Sequence, residues 1–151
     1  MSLREQIESE VKAAMRAKDV VRLETFRGIK SAIQYKEIEL LRRCDDAELL
    51  KLIAGLAKQR RESIAQFEQG GRQDLAAKER TELAILESLL PQAMSETELA
   101  ALVDAVIQAE AATSVKDLGR VMKAVLVQAA GRADGKVVSA LVKAKLQGSG
   151  A

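Results

Sequence analysis

A short stretch between two predicted helices carries the residues best suited to bind a phosphate. Residues 131–136 read GRADGK, with glycines and a lysine ahead of a helix. The stretch is not a P-loop, because its glycines are too close together, a valine follows the lysine, and a helix precedes it. Free N–H groups at the helix start, flanked by Arg132 and Lys136, suit a phosphate oxygen. The alternative is a plain helix connection in which Gly131 and Gly135 serve backbone geometry.

A second candidate is a basic face on the last two predicted helices. Lys116, Arg120 and Lys123 recur at i, i+4 and i+7, which places three cations on one side of a helix. Lys136 and Lys143 do the same on the last helix. The last quarter of the chain holds seven basic residues against two acidic ones, a net charge of +5. This face predicts salt-dependent binding to nucleic-acid phosphates, and its alternative is an ordinary solvated surface.

The aromatic residues indicate which nucleic acid such a face would bind. Phe26, Tyr35 and Phe67 are the only aromatic residues, and all lie outside the basic segment. Stacking on single-stranded bases is therefore not expected. A structured RNA, recognised through its backbone and shape, fits better.

The chain offers no complete set of catalytic or metal-binding residues. It has no histidine, which excludes the usual general base and the usual zinc ligand. Its single cysteine, Cys44, cannot form an internal disulfide, so we expect a cytoplasmic protein. The carboxylates considered for acid–base or metal chemistry are Glu37, Glu39, Glu79, Glu82 and Glu87. Helical di-iron sites add histidine ligands, so we expect no catalytic residue, no metal and no cofactor.

Hydrophobic periodicity and capping signals predict an all-α protein of seven helices. With 48% hydrophobic residues and one proline, the composition is that of helices rather than of short strands. Ser2, Asp45 and Ser95 each stand three residues before a glutamate, the spacing of a capping box. The second helix is predicted over residues 20 to about 43, the fourth over 72–90 and the sixth over 114–131. The fifth helix is predicted to end near residue 111, and the seventh to begin near residue 134. Residues 148–150 are predicted to form a frayed tail.

The single proline, Pro91, marks a change in composition. Residues 1–91 hold 17 basic and 16 acidic side chains, whereas 92–151 hold seven and six. We predict an N-terminal domain of long helices over 1–91 and a three-helix domain over 92–151. No apolar run approaches the roughly 18 residues that cross a bilayer, so we expect no membrane association.

Four blocks of sequence stand in order along the chain. They are KQRRESI at 58–64, GRQDL at 71–75, ILESLLP at 85–91 and GRADGKVV at 131–138. Together they resemble the GatB/YqeY family, specifically its stand-alone YqeY-like members. The resemblance implies an all-α protein whose C-terminal domain is similar to the tail of the GatB subunit of tRNA-dependent amidotransferase. That tail engages tRNA, while the amide-forming chemistry lies elsewhere in the assembly.

The resemblance places the tail-like positions at 119–123 and 131–143, which contain most of the basic face. It implies that Gly131 and Gly135 shape the loop. The chain lacks the large catalytic body of GatB with its ATP and Mg²⁺ site, so the family association does not imply catalysis. The residues predicted to bind RNA phosphates are Lys116, Arg120, Lys123, Arg132, Lys136 and Lys143.

The leading hypothesis is a non-catalytic protein that binds tRNA, with aminoacyl-tRNA or amidotransferase machinery as further partners. One alternative is a protein-interaction adaptor that uses the long N-terminal helices. A further alternative is an accessory component of a glutamine-dependent carbon–nitrogen ligase, in which partner subunits supply the active site.

Overall fold

The protein is helical throughout the part of the chain that the structure describes. A computed structural model describes residues 1–149, and over them it contains seven α-helices, one 3-10 turn and no strand. The all-α fold expected from the sequence is confirmed. In chain order the helices are α1 (Leu3–Ala17), α2 (Val20–Leu40), α3 (Asp46–Gln69), α4 (Gln73–Ser88), α5 (Glu96–Ala109), α6 (Leu118–Ala129) and α7 (Gly135–Ser149). Within residues 1–149, none of these helices has the length and apolar character of a membrane span.

Side-chain caps fix the starts of four helices. The side chains of Ser2, Asp19, Asp45 and Ser95 each accept a hydrogen bond from the backbone N–H three residues later. Each bond satisfies an N–H group that the first helical turn leaves without a partner. The predicted starts of α1, α2, α3 and α5 are therefore confirmed.

Most helix ends lie earlier than the sequence pattern predicts. Helix α2 ends at Leu40, because Leu41 takes a left-handed conformation with φ of 58°. Helices α4 and α5 likewise stop two residues before the predicted ends. The predicted sixth helix is divided, since a 3-10 turn at Val115–Asp117 precedes α6.

The end of the chain also differs from the prediction. Gly148 and Ser149 are helical, so the frayed tail predicted for them is wrong. Gly150, the third residue of that tail, lies outside the described residues.

The chain divides into two compact units, Met1–Leu90 and Pro91–Ala151. We call them the N-terminal unit and the C-terminal unit. In the N-terminal unit α1 pairs with α2 and α3 pairs with α4, around a core that includes Phe26, Ile29 and Ile53. In the C-terminal unit α5, α6 and α7 pack around a smaller core. Its fully buried members are valines and a leucine: Val103, Val121, Val125, Val138, Val142 and Leu146.

Candidate nucleic-acid interface

All six predicted phosphate-binding residues lie in the C-terminal unit. Arg120 and Lys123 are on α6, and Lys136 and Lys143 are on α7. Lys116 lies in the 3-10 turn that leads directly into α6, so the predicted single helix that carries it with Arg120 and Lys123 is divided. Arg132 lies between α6 and α7 and is half-buried, whereas the other five are exposed.

Arg120 is engaged in ion pairs. Its Nη2 atom lies 3.1 Å from Asp117 Oδ1, and its Nε atom lies 3.6 Å from Glu110 Oε2. The Asp117 carboxylate also accepts hydrogen bonds from the backbone N–H groups of Thr113 and Ser114. These two bonds, and the charge of Arg120, hold the pKa of Asp117 below its usual range. Arg120 thus stabilises the connection between α5 and α6.

Arg132 connects the α6–α7 loop to the start of α5 and to the segment before it. Its Nε donates to the Gln92 carbonyl at 2.8 Å, and its Nη2 donates to Glu98 Oε2 at 3.0 Å. Its own carbonyl accepts a hydrogen bond from the Met94 N–H at 2.9 Å. The contacts of Arg132 are therefore those of a structural residue.

Four lysines of the basic segment, residues 114–151, form no ion pair with an acidic residue among residues 1–149. Within residues 1–149, no hydrogen bond or ion pair engages the ammonium groups of Lys116, Lys123, Lys136 and Lys143. We call these four residues the lysine surface. The half-buried Lys145 is different, since its Nζ lies 2.7 Å from Asp104 Oδ1 on α5.

Helical geometry places Lys136 and Lys143 on the side of α7 away from Asp104, the α5 carboxylate that pairs with Lys145. Each residue advances an α-helix by about 100°, so Lys136 and Lys143 lie roughly 160–180° around α7 from Lys145. That is the side of α7 opposite its contact with Asp104. On α6, Lys123 lies opposite the buried residues Val121, Val125 and Ala129. The 3-10 turn that carries Lys116 packs against both helices.

The predicted anion site at the start of α7 already contains a carboxylate. Asp134 Oδ1 accepts a hydrogen bond from the Lys136 backbone N–H at 2.7 Å, the position a phosphate oxygen would take. Gly131 has φ of 82°, a left-handed conformation that favours glycine. Gly135 has no such conformation, and a Cβ there would meet nothing within 4 Å. The loop therefore needs glycine at 131 and not at 135.

The acidic residues considered for catalysis are paired with basic side chains. The pairs are Glu37–Arg4, Glu39–Lys36, Glu79–Arg60, Glu82–Arg60 and Glu87–Arg61. Among the described residues no group of three or more acidic or cysteine side chains is placed to hold a metal ion. Cys44 is buried, and desolvation together with the nearby Glu37 and Glu48 raises the pKa of its thiol. These contacts indicate structural roles.

Comparison with known proteins identifies the family. The family model described as "Yqey-like protein" matches residues 4–146. The chain belongs to the YqeY-like family. In this YqeY-like chain the lysine surface, Arg120 and Arg132 all fall inside the matched range.

Curated relatives of this YqeY-like chain are fungal proteins named "Altered inheritance of mitochondria protein 41, mitochondrial". The protein of Kluyveromyces lactis is 41% identical over 83 residues, which are 54% of this chain and 45% of the relative. That of Lachancea thermotolerans is 37% identical over 87 residues, 57% and 46% of the two chains. That of Saccharomyces cerevisiae S288c is 35% identical over 94 residues, which are 62% of this chain and 51% of the relative. The chain thus spans about half the length of these relatives.

The names of these relatives contradict the predicted cytoplasmic location. Each is named as a mitochondrial protein, whereas the prediction had relied on the single cysteine. A low cysteine count separates reducing from disulfide-forming compartments and contains no targeting information. The prediction of a cytoplasmic protein is therefore wrong.

Proposed function

We propose that this YqeY-like chain binds structured RNA, above all tRNA, through the lysine surface, and that it carries no active site of its own. The observation that supports this is that these four exposed lysines, which have no carboxylate partner among residues 1–149, lie in a segment (114–151) of seven basic and only two acidic residues. The acidic residues of the same segment are engaged elsewhere: Asp117 by Arg120 and two backbone N–H groups, and Asp134 by the start of α7.

The chemistry of lysine suits phosphate rather than base recognition. An ammonium on a flexible stem acts as a point charge toward phosphate, and it releases counterions when it binds. The bidentate base contacts that specify sequence are typical of arginine, and both arginines of this segment are held in protein contacts. We therefore expect binding that depends on shape and charge and varies little with sequence.

An accessory role in a glutamine-dependent amidotransferase is compatible with the same surface. Such a role requires partner subunits for the chemistry, because the candidate carboxylates of this chain are tied in ion pairs. The purified chain alone is then expected to hydrolyse no glutamine.

A protein-interaction adaptor is the second candidate function. Helix α2 and its cap carry three exposed apolar side chains at three-residue spacing, Tyr35, Ile38 and Leu41. They are 78%, 66% and 90% exposed, and three-residue spacing places them near one another at the end of the helix. Co-purification of a stoichiometric protein partner without RNA would favour this function.

The test of RNA binding uses two matched pairs of lysines. Lys136 and Lys143 on α7 are seven residues apart, and so are the exposed Lys51 and Lys58 on α3. Fluorescence anisotropy measures binding of bulk tRNA, and of duplex DNA of similar charge, across a salt series. For Lys136→Ala/Lys143→Ala we expect the slope of log Kobs against log salt to fall by about two. The control Lys51→Ala/Lys58→Ala keeps the wild-type slope.

Two results would overturn the proposal. One is a wild-type chain that prefers duplex DNA or binds neither nucleic acid at physiological salt. The other is an unchanged slope in the α7 variant, or an equal loss in the α3 variant.

A further inference from the structure

A groove of about 520 Å³ runs between α1 and α2 in the N-terminal unit. Ile7 and Val11 from α1 and Ile33 from α2 contribute apolar side chains to it. Ile7 and Ile33 are buried and Val11 is half-buried, so they form the floor. The volume lies within the roughly 300–1,000 Å³ of pockets that hold small ligands.

One end of the groove is fixed by a network of hydrogen bonds. Arg4 Nη2 lies 2.5 Å from Glu37 Oε2, which also accepts a hydrogen bond from the Cys44 backbone N–H at 2.7 Å. Both side chains line the groove. Because Arg4 and Glu37 are already paired, they close this end of the groove and are not available to bind a ligand. The charged side chains that remain available lie further along the rim.

The two sides of the groove rim carry opposite charges. Arg27 and Lys30 on α2 line the groove and are exposed, and within residues 1–149 no carboxylate pairs with either. They are three residues apart, so they are neighbours on the helix surface. Across the groove, α1 contributes the exposed Glu8. A ligand is thus offered two cations on one side, one carboxylate on the other and an apolar floor between them.

We propose that this groove binds a small amphiphilic anion, with one carboxylate, phosphate or sulfonate group on a compact apolar body. The anionic group faces Arg27 and Lys30, and the apolar body covers Ile7, Val11 and Ile33. A fully polar anion would leave this floor uncovered, and an uncharged apolar molecule would gain nothing from the two cations.

Two fluorescent probes with the same arylamine skeleton separate these contributions. 1-Anilinonaphthalene-8-sulfonate carries an anionic group, and N-phenyl-1-naphthylamine lacks it. We expect Arg27→Gln/Lys30→Gln to weaken binding of the sulfonate probe roughly fivefold and to leave the uncharged probe unchanged. Glu8→Gln acts in the opposite direction and strengthens binding of the sulfonate probe about twofold. Val11→Ala weakens both probes, because it removes part of the floor.

The matched control is Lys51→Gln/Lys58→Gln, which removes two exposed cations of α3 outside the groove. It leaves both probes at wild-type affinity, and thermal unfolding followed by far-ultraviolet circular dichroism checks that every variant keeps the wild-type fold. The proposal is overturned if the wild-type chain does not bind the sulfonate probe. It is also overturned if the rim variant and the α3 control lose affinity equally, or if Glu8→Gln weakens binding.

Discussion

The N-terminal and C-terminal units use arginine in the same way and differ in what surrounds their lysines. In the N-terminal unit, five arginines join one helix to another; the pairs are Arg4–Glu37, Arg22–Glu10, Arg60–Glu79, Arg61–Glu87 and Arg80–Glu68. In the C-terminal unit, Arg120 and Arg132 make equivalent contacts. Arginine suits this role because its planar group donates several hydrogen bonds in a fixed geometry.

The two units hold basic and acidic residues in similar ratios, but in the C-terminal unit the two kinds of charge are separated along the chain. The N-terminal unit has 17 basic and 16 acidic residues, so exposed lysines there have acidic neighbours in the sequence. After residue 113 the C-terminal unit has Asp117 and Asp134 as its only acidic residues, and both accept hydrogen bonds from the backbone. The lysine surface therefore lies in a segment with few acidic residues, and this separation of charge distinguishes the C-terminal unit.

The largest expected effect compares the two cores. Phe26 is fully buried in the N-terminal unit, and Val142 is fully buried in the C-terminal unit. Phe26→Ala removes a whole ring and should lower the free energy of unfolding by about 4 kcal/mol, whereas Val142→Ala should cost about 2 kcal/mol. Urea unfolding, with hydrogen exchange to locate the loosened helices, measures both. An equal loss in the free energy of unfolding for both variants would contradict this expectation and show that the core of the C-terminal unit is as sensitive to a cavity as that of the N-terminal unit.

A smaller effect compares two glycines of the α6–α7 loop. Gly131→Ala forces an alanine into a left-handed conformation and should destabilise the C-terminal unit by about 1 kcal/mol. Gly135→Ala meets no steric obstacle and should leave stability unchanged or raise it by a few tenths of a kcal/mol. Thermal unfolding compares the two variants. A larger loss at 135 than at 131 would contradict this account of the loop.

The smallest expected effect concerns acid stability, and it compares one hydrogen-bonded carboxylate of each unit, Glu37 and Asp117. Arg4 and the Cys44 N–H lower the pKa of Glu37 from its ordinary 4.5. In the C-terminal unit the Thr113 and Ser114 N–H groups lower that of Asp117. A lowered folded-state pKa contributes stability above the ordinary pKa, and this stability is lost as pH falls through the folded-state value.

The corresponding variants remove this contribution at every pH. Glu37→Gln and Asp117→Asn should therefore be less stable than wild type at pH 7, and the difference should shrink as the pH falls below the ordinary carboxyl pKa. Urea unfolding at pH 7 and pH 3 measures the change. A stability difference that does not depend on pH would show that the negative charge of these side chains contributes nothing to stability.

Local signals in the sequence predict where helices begin better than where they end. The Ser2, Asp45 and Ser95 caps act within three residues, so their spacing is visible in the sequence. The end of α2 depends on Leu41, which adopts a left-handed conformation although it is not a glycine. No residue type marks that position, because leucine and the two arginines that follow it all favour helices.

The candidate interface is predicted only in part, because its ion pairs join distant residues. Arg132 contacts Glu98 and Gln92, which are 34 and 40 residues away in the chain. The pattern of basic residues therefore finds the segment but cannot distinguish free lysines from engaged arginines. Glu110 pairs with Arg120 from the end of α5, before the basic segment begins, so the spacing of the basic residues does not reveal it.

The central claim is that the lysine surface binds RNA while Arg120 and Arg132 stabilise the fold of the C-terminal unit. The most direct test is the salt dependence of tRNA binding for Lys116→Ala/Lys123→Ala and for Arg120→Ala/Arg132→Ala, each below its unfolding midpoint. We predict that the lysine variant lowers the slope of log Kobs against log salt by about two, with an unchanged unfolding midpoint. The arginine variant keeps the slope and unfolds at a lower temperature. The reverse result, a lower slope for the arginine variant alone, would contradict the claim.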